Sequence, residues 1–268
     1  MDRREVLISM GLSAAIVAFS GCGFVRISNL EKILEEIGEK KKEKLREHIR
    51  GIQENMVTIK TSTDYVLGYD GKINLKYSNT IGEGLIYRNY ILTANHVIEL
   101  MERDVRENLK KHIGSSFDPN LFTFGKIKDR VTIADEEVKE MIKIPEKDVG
   151  IIHYKKPKKP DYEVRLGDSD KIGLLDELYV VGRPFAAYPV VKGGLVGSEN
   201  QKKFKDFILG GEIITGHRLV GGDSGSPLIN INGEIVGITS RIITHSHTVS
   251  NPINWYKEEI AKYEATQS

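Results

Sequence analysis

The chain has 268 residues, 39 Lys plus Arg against 38 Asp plus Glu, and a single cysteine. Balanced charge lacks the surplus of clustered cations that phosphate binding needs, which argues against nucleic acid as the main partner. One cysteine forms no internal disulfide, and 26 glycines with 40% hydrophobic residues fit one large or two small folded domains rather than a collagen-like, disulfide-scaffold or multi-span membrane protein.

In the first segment, residues 1–22, Arg3 and Arg4 precede an uncharged run from 6 to 25, with Ser20 and Gly21 immediately before Cys22. This is the layout of a secretory signal. Phe19-Ser20-Gly21-Cys22 resembles a bacterial lipoprotein cleavage box, in which Cys22 becomes the lipidated first residue. Two other outcomes stay open: an uncleaved anchor, because the run is just long enough to cross a bilayer, and an ordinary cleaved signal. All three put the remaining chain outside the cytoplasm, at the periplasmic or cell-surface face of a bacterial envelope, and the first two attach it to the membrane.

Residues 23–55 place Leu30, Ile33, Leu34, Ile37, Leu45, Ile49 and Ile52 at helical intervals among Glu, Lys and Arg, interrupted by a charged run from 39 to 44. The stripe is too short for a sustained coiled coil and predicts a solvated helical stalk, with a docking helix as the sharper alternative. From Met56 onward short β-rich runs alternate with Gly, Asn and Asp. Asp70-Gly71 and Arg88-Asn89 each separate two such runs and read as tight hairpins. Many short strands imply a β-barrel or sandwich. A helix is predicted over 99 to about 113, within a 99–147 stretch longer than a minimal barrel connection and read as a peripheral decoration or a regulatory element. The Lys/Pro run at 155–160 marks a connection between two halves, 56–160 and 161–268, because proline lacks the donor a sheet requires. A closing amphipathic helix is predicted from 254 to about 266, around Trp255, Tyr256, Ile260 and Tyr263.

Chemistry concentrates in three places. Gly221-Gly222-Asp223-Ser224-Gly225-Ser226-Pro227-Leu228 sets a serine between glycines on a tight turn, where the backbone can bend sharply and aim N–H groups at a developing oxyanion. Ile91-Leu92-Thr93-Ala94-Asn95-His96-Val97 ends an apolar strand with a histidine. Lys147-Asp148-Val149-Gly150-Ile151-Ile152 puts an aspartate directly before another. A serine hydroxyl needs a base to lose its proton, and the base needs a partner that fixes its tautomer. His245-Ser246-His247 offers two histidines on one strand face without a third ligand nearby, so it reads as a polar strand edge; no metal and no cofactor are expected.

These segments resemble the chymotrypsin-like (trypsin-like) serine proteases, and specifically the bacterial HtrA (Deg) branch. Gly82-Glu83-Gly84-Leu85-Ile86-Tyr87 with Tyr90 through His96-Val97 is similar to that family's approach to its histidine. Arg165-Leu166-Gly167-Asp168-Ser169-Asp170-Lys171 and Leu178-Tyr179-Val180-Val181-Gly182-Arg183-Pro184-Phe185 resemble the opening of its second barrel, and Asn230 through Ile238 the hairpin after the nucleophile. The resemblance covers roughly residues 56 to 255. It implies an all-β fold of two six-stranded antiparallel barrels, flanked here by the N-terminal and C-terminal helices, with the site in the cleft between them. It implies Ser224 as nucleophile, His96 as general base and acid, Asp148 as orienting carboxylate, and the N–H groups of Gly222 and Ser224 as oxyanion hole.

Ser226 departs from the second glycine usual after the nucleophile and is similar to the glutamyl endopeptidases. By the same resemblance, the stretch with His217 and Arg218 lines the pocket for the residue before the cut, suggesting an acidic preference, while Thr239, Ser240 and Arg241 lie on the strand that pairs with substrate backbone. Protein or peptide substrates and a homo-oligomer are the implied partners. The peptide-binding PDZ module common in the branch is not expected, because too few residues follow the closing helix. A catalytically silent barrel that binds extended peptides is the alternative.

Overall fold

The computed structural model describes residues 27–70, 72–100, 102–154, 162–182, 190–196, 211–217, 220–244 and 247–267. The signal-like segment with Cys22, the connection at 155–160, Arg218, and His245 with Ser246 lie outside them. The residues group into two compact units, Met1–Lys44 and Leu45–Ser268.

Helix α1 spans Ile27–Glu54. Residues 39–44 of this helix are exposed. From there Leu45, Ile49 and Ile52, spaced for one helical face, pack on the core, and Ile52 is fully buried. Asn55 closes the helix, donating through Nδ2 to the Gly51 carbonyl (2.8 Å) and the Tyr162 carbonyl (3.1 Å).

Seven strands form the first antiparallel sheet: β1 (Met56–Tyr69), β2 (Lys72–Tyr87), β3 (Tyr90–Ala94), β4 (Phe122–Ile133), β5 (Glu136–Val138), β6 (Met141–Ile144) and β7 (Val149–His153), in the order β5-β4-β1-β2-β3-β7-β6. Both two-residue hairpins fall where the sequence places them: Tyr69 pairs with Lys72 around Asp70, and Tyr87 with Tyr90 around Arg88-Asn89. Asp70 (φ 50°) and Arg88 (φ 55°) take the positive φ that such turns require. The 99–147 stretch is less peripheral than expected. After helices α2 (Asn95–Ile98) and α3 (Glu102–Ile113) it supplies β4, which runs along β1 from Ile59↔Ile133 to Tyr69↔Phe122, together with β5 and β6. Its many exposed charged residues concealed those strands. The short edge strand β5 makes this sheet seven-stranded instead of six.

Six strands form the second sheet: β8 (Glu177–Gly182), β9 (Val190–Leu195), β10 (Ile213–Thr215), β11 (Pro227–Asn230), β12 (Ile235–Thr244) and β13 (His247–Pro252), in the order β10-β13-β12-β11-β8-β9. Helix α4 (Ile253–Gln267) follows directly, burying Ile253, Tyr256 and Ile260. One apolar cluster joins the sheets, with Leu85, Leu92, Val149 and Ile151 of the first against Val181, Ile229, Ile235 and Ile238 of the second and the inner face of α4. Fully burying each such side chain stabilises by about 1.5–3 kcal/mol. With this core the two sheets meet along one seam, and the chemistry-bearing residues lie on it.

Candidate active site

β3 is buried along its whole length and ends at Ala94, where α2 begins and carries His96. Its neighbour β7 starts at Val149, and their register sets Ala94 opposite Val149. The residues just past each strand end must therefore meet. The Asn95 N–H donates to the Asp148 carbonyl at 2.9 Å, the His96 N–H donates to Asp148 Oδ1 at 2.9 Å, and His96 Nδ1 stands 2.9 Å from Oδ2. Asp148 adopts φ 52°, ψ 34° at the end of a short 3₁₀ turn. That left-handed conformation is strained for most side chains, and Asp is among the few that tolerate it.

The second sheet grips the same carboxylate. Ser240 Oγ donates to Asp148 Oδ2 at 2.5 Å, and Asn251 Nδ2 donates to the Asp148 backbone carbonyl at 2.8 Å. The β12–β13 register shifts between Thr239 and Arg241, a bulge that re-aims Ser240 across the seam. Tyr256 of α4 donates to the Thr93 carbonyl at 2.8 Å. Burial pushes the Asp148 carboxyl up, but the His96 ring, the Ser240 hydroxyl and the His96 N–H outweigh it and hold the group below the ordinary carboxylate range. Asp148 is 1% exposed and the His96 ring 24%, so the carboxylate is hidden while the imidazole keeps one side toward solvent.

Ser224 sits on the turn before β11, pinned from both sheets. Its carbonyl accepts the Glu83 N–H of β2 at 2.8 Å, and the Gly225 N–H donates to the Thr239 carbonyl of β12 at 2.8 Å. A Cβ on Gly225 (φ 88°) would lie 1.8 Å from the Glu83 carbonyl oxygen, so only glycine fits there. Gly222 also takes a positive φ, 90°. Among the described residues, the N–H groups of Gly222 and Ser224 have no hydrogen-bond acceptor. The Ser224 hydroxyl donates to the Ser240 carbonyl at 3.1 Å. Asp223, between the two free N–H groups, is 1% exposed and pairs with Lys192 of β9 at 2.5 Å.

A family model described as trypsin-like peptidase domain matches residues 81–238, a span that contains His96, Asp148 and Ser224. The chain belongs to the trypsin-like peptidases. This peptidase is 30% identical over 176 residues to a probable periplasmic serine endoprotease DegP-like of Marinomonas sp. (strain MWYL1), covering 63% of this chain and 31% of that protein. It is 26% identical over 166 residues to the periplasmic pH-dependent serine endoprotease DegQ of Escherichia coli (strain K12), covering 61% and 31%. The peptidase thus spans about a third of the length of these curated relatives. Two structures of the HtrA-type protease AlgW with a decapeptide share the fold at TM-scores of 0.59 and 0.53, both at 17% identity, covering 84% and 81% of this chain and 68% and 66% of theirs. These relatives and structures are of the DegP, DegQ and HtrA types.

The remaining sequence-derived site residues separate. His217 of the peptidase is buried beneath the second sheet, with Nδ1 2.6 Å from Thr215 Oγ1 and Nε2 3.1 Å from the Leu178 carbonyl. Burial pushes its imidazole below the ordinary histidine range. Its ring nitrogens thus meet groups of the second sheet, Thr215 of β10 and Leu178 of β8. Thr239 is buried, and Ser240 faces Asp148 through its hydroxyl. Arg241 Nη2 clamps the buried Glu212 carboxylate at 2.8 and 3.0 Å. Sequence reasoning missed Asn251, Tyr256 and Lys192. None of the three carries a local sequence signal; the inward position of Lys192 emerges only from the burial of β9, in which 190, 192 and 194 are half-buried and 191, 193 and 195 exposed.

Proposed function

We propose that this chain is a serine endopeptidase acting through an acyl-enzyme, with Ser224 as nucleophile, His96 as general base and then acid, and Asp148 as the carboxylate that fixes the ring. The observation that carries this reading is the His96–Asp148 pair: Nδ1 is occupied by a buried carboxylate at 2.9 Å, which leaves Nε2 as the nitrogen that takes up a proton. In the reaction the Ser224 hydroxyl leaves the Ser240 carbonyl for Nε2 and attacks the scissile carbonyl. The negative oxygen then falls to the unpartnered N–H groups of Gly222 and Ser224, His96 protonates the departing amine, and water releases the acid. Each oxyanion donor contributes roughly 3 kcal/mol in comparable chemistry.

The relatives, named as periplasmic serine endoproteases, support peptide-bond hydrolysis and a bacterial periplasmic setting. Attachment to the membrane through Cys22 or an uncleaved anchor, homo-oligomer assembly, an acidic preference set by Arg218, and backbone pairing of substrate along Thr239 to Arg241 extend the same proposal. Among the described residues, no helix is long and apolar enough to cross a membrane. The second reading is a silent peptide-binding barrel, and the Ser240-bound hydroxyl of Ser224 favours it. A fluorophosphonate probe separates them: labelling of the wild type that vanishes in Ser224→Ala supports the peptidase, and a wild type that stays unlabelled under every condition, with or without added peptide, sinks it.

A further inference from the structure

The aspartate next to the nucleophile has no role in the proton transfers above, yet it is among the most deeply enclosed charges in the second sheet. Asp223 Oδ2 accepts from the Lys192 ammonium at 2.5 Å and from the Val220 N–H at 2.8 Å. Its Oδ1 lies where a Cβ on Gly182 would approach to 2.9 Å, so β8 carries a glycine at the point where the carboxylate is seated. The Asp223 backbone is equally committed, its N–H donating to the Val220 carbonyl at 3.2 Å and its carbonyl accepting the Ser226 N–H at 3.0 Å. Asp223 is thus the peg of the 220–226 loop, and the two free N–H groups flank it. A carboxylate stays in such a place only while a cation neutralises it; left alone it turns out to water and takes the adjoining peptides with it.

Resting on the reading of Ser224 as nucleophile, we infer that Lys192 is a positioning residue of this peptidase: its ammonium holds Asp223 inward and so sets the aim of the Gly222 and Ser224 N–H groups. The peg is driven from β9, the edge strand of the second sheet, where Lys192 pairs with Val180 of β8 and points inward. Lysine suits this position because a flexible stem delivers one compact charge to one oxygen, leaving the other against Gly182. The effect is on the oxyanion, which exists only after attack, so loss of Lys192 acts on kcat and leaves KM nearly unmoved.

The test compares wild type, Lys192→Met, Lys192→Arg, Asp223→Asn and the double variant Lys192→Met with Asp223→Asn, using steady-state kinetics on one fluorogenic peptide and thermal melting. Fluorophosphonate labelling of the wild type, lost in Ser224→Ala, is established first, so that failure of the nucleophile assignment is seen separately. Lys192→Met is expected to lower kcat about 100-fold with KM within about threefold, the size of losing one oxyanion donor. Lys192→Arg retains kcat within about fivefold. The double variant, with no charge left to bury, recovers at least about tenfold over Lys192→Met, because replacing both partners removes the cost of the orphaned carboxylate. If Lys192→Met does not fold, the double variant decides: folded and active supports the inference, folded with kcat as low as about 100-fold below wild type overturns it. A Lys192→Met enzyme with kcat within about threefold of wild type, or a loss confined to KM, also overturns it.

Discussion

The two sheets hold their parts of the site by different physics. In the first, His96 and Asp148 meet because two buried strands pair in one register, and the contact follows from apolar packing and backbone hydrogen bonds along β3 and β7. In the second, Ser224 rides on a turn whose shape depends on buried polar groups: the Asp223–Lys192 pair, the bulge at Ser240, and glycines at 222 and 225. Register is insensitive to charge and pH, whereas a turn pegged by an ion pair is sensitive to both. His96 and Asp148 are therefore brought together by the fold of the first sheet, and Ser224 with its neighbouring N–H groups is the more adjustable half.

The strongest break of this contrast comes from Ser224→Ala, which is expected to remove peptidase activity by about 10⁶-fold with little change in melting temperature; His96→Ala should cost about the same, and the double variant no more, because the residues act as a unit. Asp148→Asn comes next, at about 10⁴-fold in kcat from loss of the correct tautomer. The same carboxylate gives a pH signature. Its folded-state pKa lies below the ordinary value of 3.8, so the stability it contributes is complete above that value and is lost as pH falls through the lower folded value. Acid unfolding of Asp148→Asn should lack that component, and an unchanged acid limb in circular dichroism would show that Asp148 is not held as described.

Gly225→Ala tests the adjustable half through its backbone. A Cβ 1.8 Å from the Glu83 carbonyl at positive φ should cost roughly 3 kcal/mol or more in denaturant unfolding. Ser240→Ala is the mildest, removing one hydrogen bond to a charged oxygen and so about 1.5–3 kcal/mol of support for Asp148. It should raise the pH at which the acid component appears, with kcat falling about tenfold. If Ser240→Ala instead left the acid limb where it was, the seam between the sheets would not be tuning Asp148.

What the sequence disclosed was local. Asp70-Gly71 and Arg88-Asn89 are legible because each separates two β-rich runs by two residues, α1 and α4 because apolar positions recur at helical spacing, and α3 as a charged stretch between strands. His96, Asp148 and Ser224 are legible as motif positions, each fixed by its flanking strand or glycines. The contacts that complete the site run between residues far apart in the chain. Nothing local in Ser240 says that a bulge turns it onto Asp148, and the polar look of His217 hides a ring whose two nitrogens are satisfied inside the protein. The 122–144 stretch misled for a related reason: half of the β4 residues are exposed, four of them in an unbroken run, so the alternation that marks a half-buried strand is faint.

The seam has a consequence in time. The groups of the second half that secure the first half's pair are made long after it: Ser240 follows Asp148 by 92 residues, Asn251 by 103, and Tyr256 follows Thr93 by 163. Contacts of such separation close late, after the entropy of a long loop has been spent. A chain still emerging from the ribosome can set its first sheet and hold imidazole against carboxylate, yet it has neither a hydroxyl to deprotonate nor the helix that locks Thr93. On the proposed chemistry, cutting begins only once the chain has been made through α4 and has folded back on itself, so synthesis itself delays the activity.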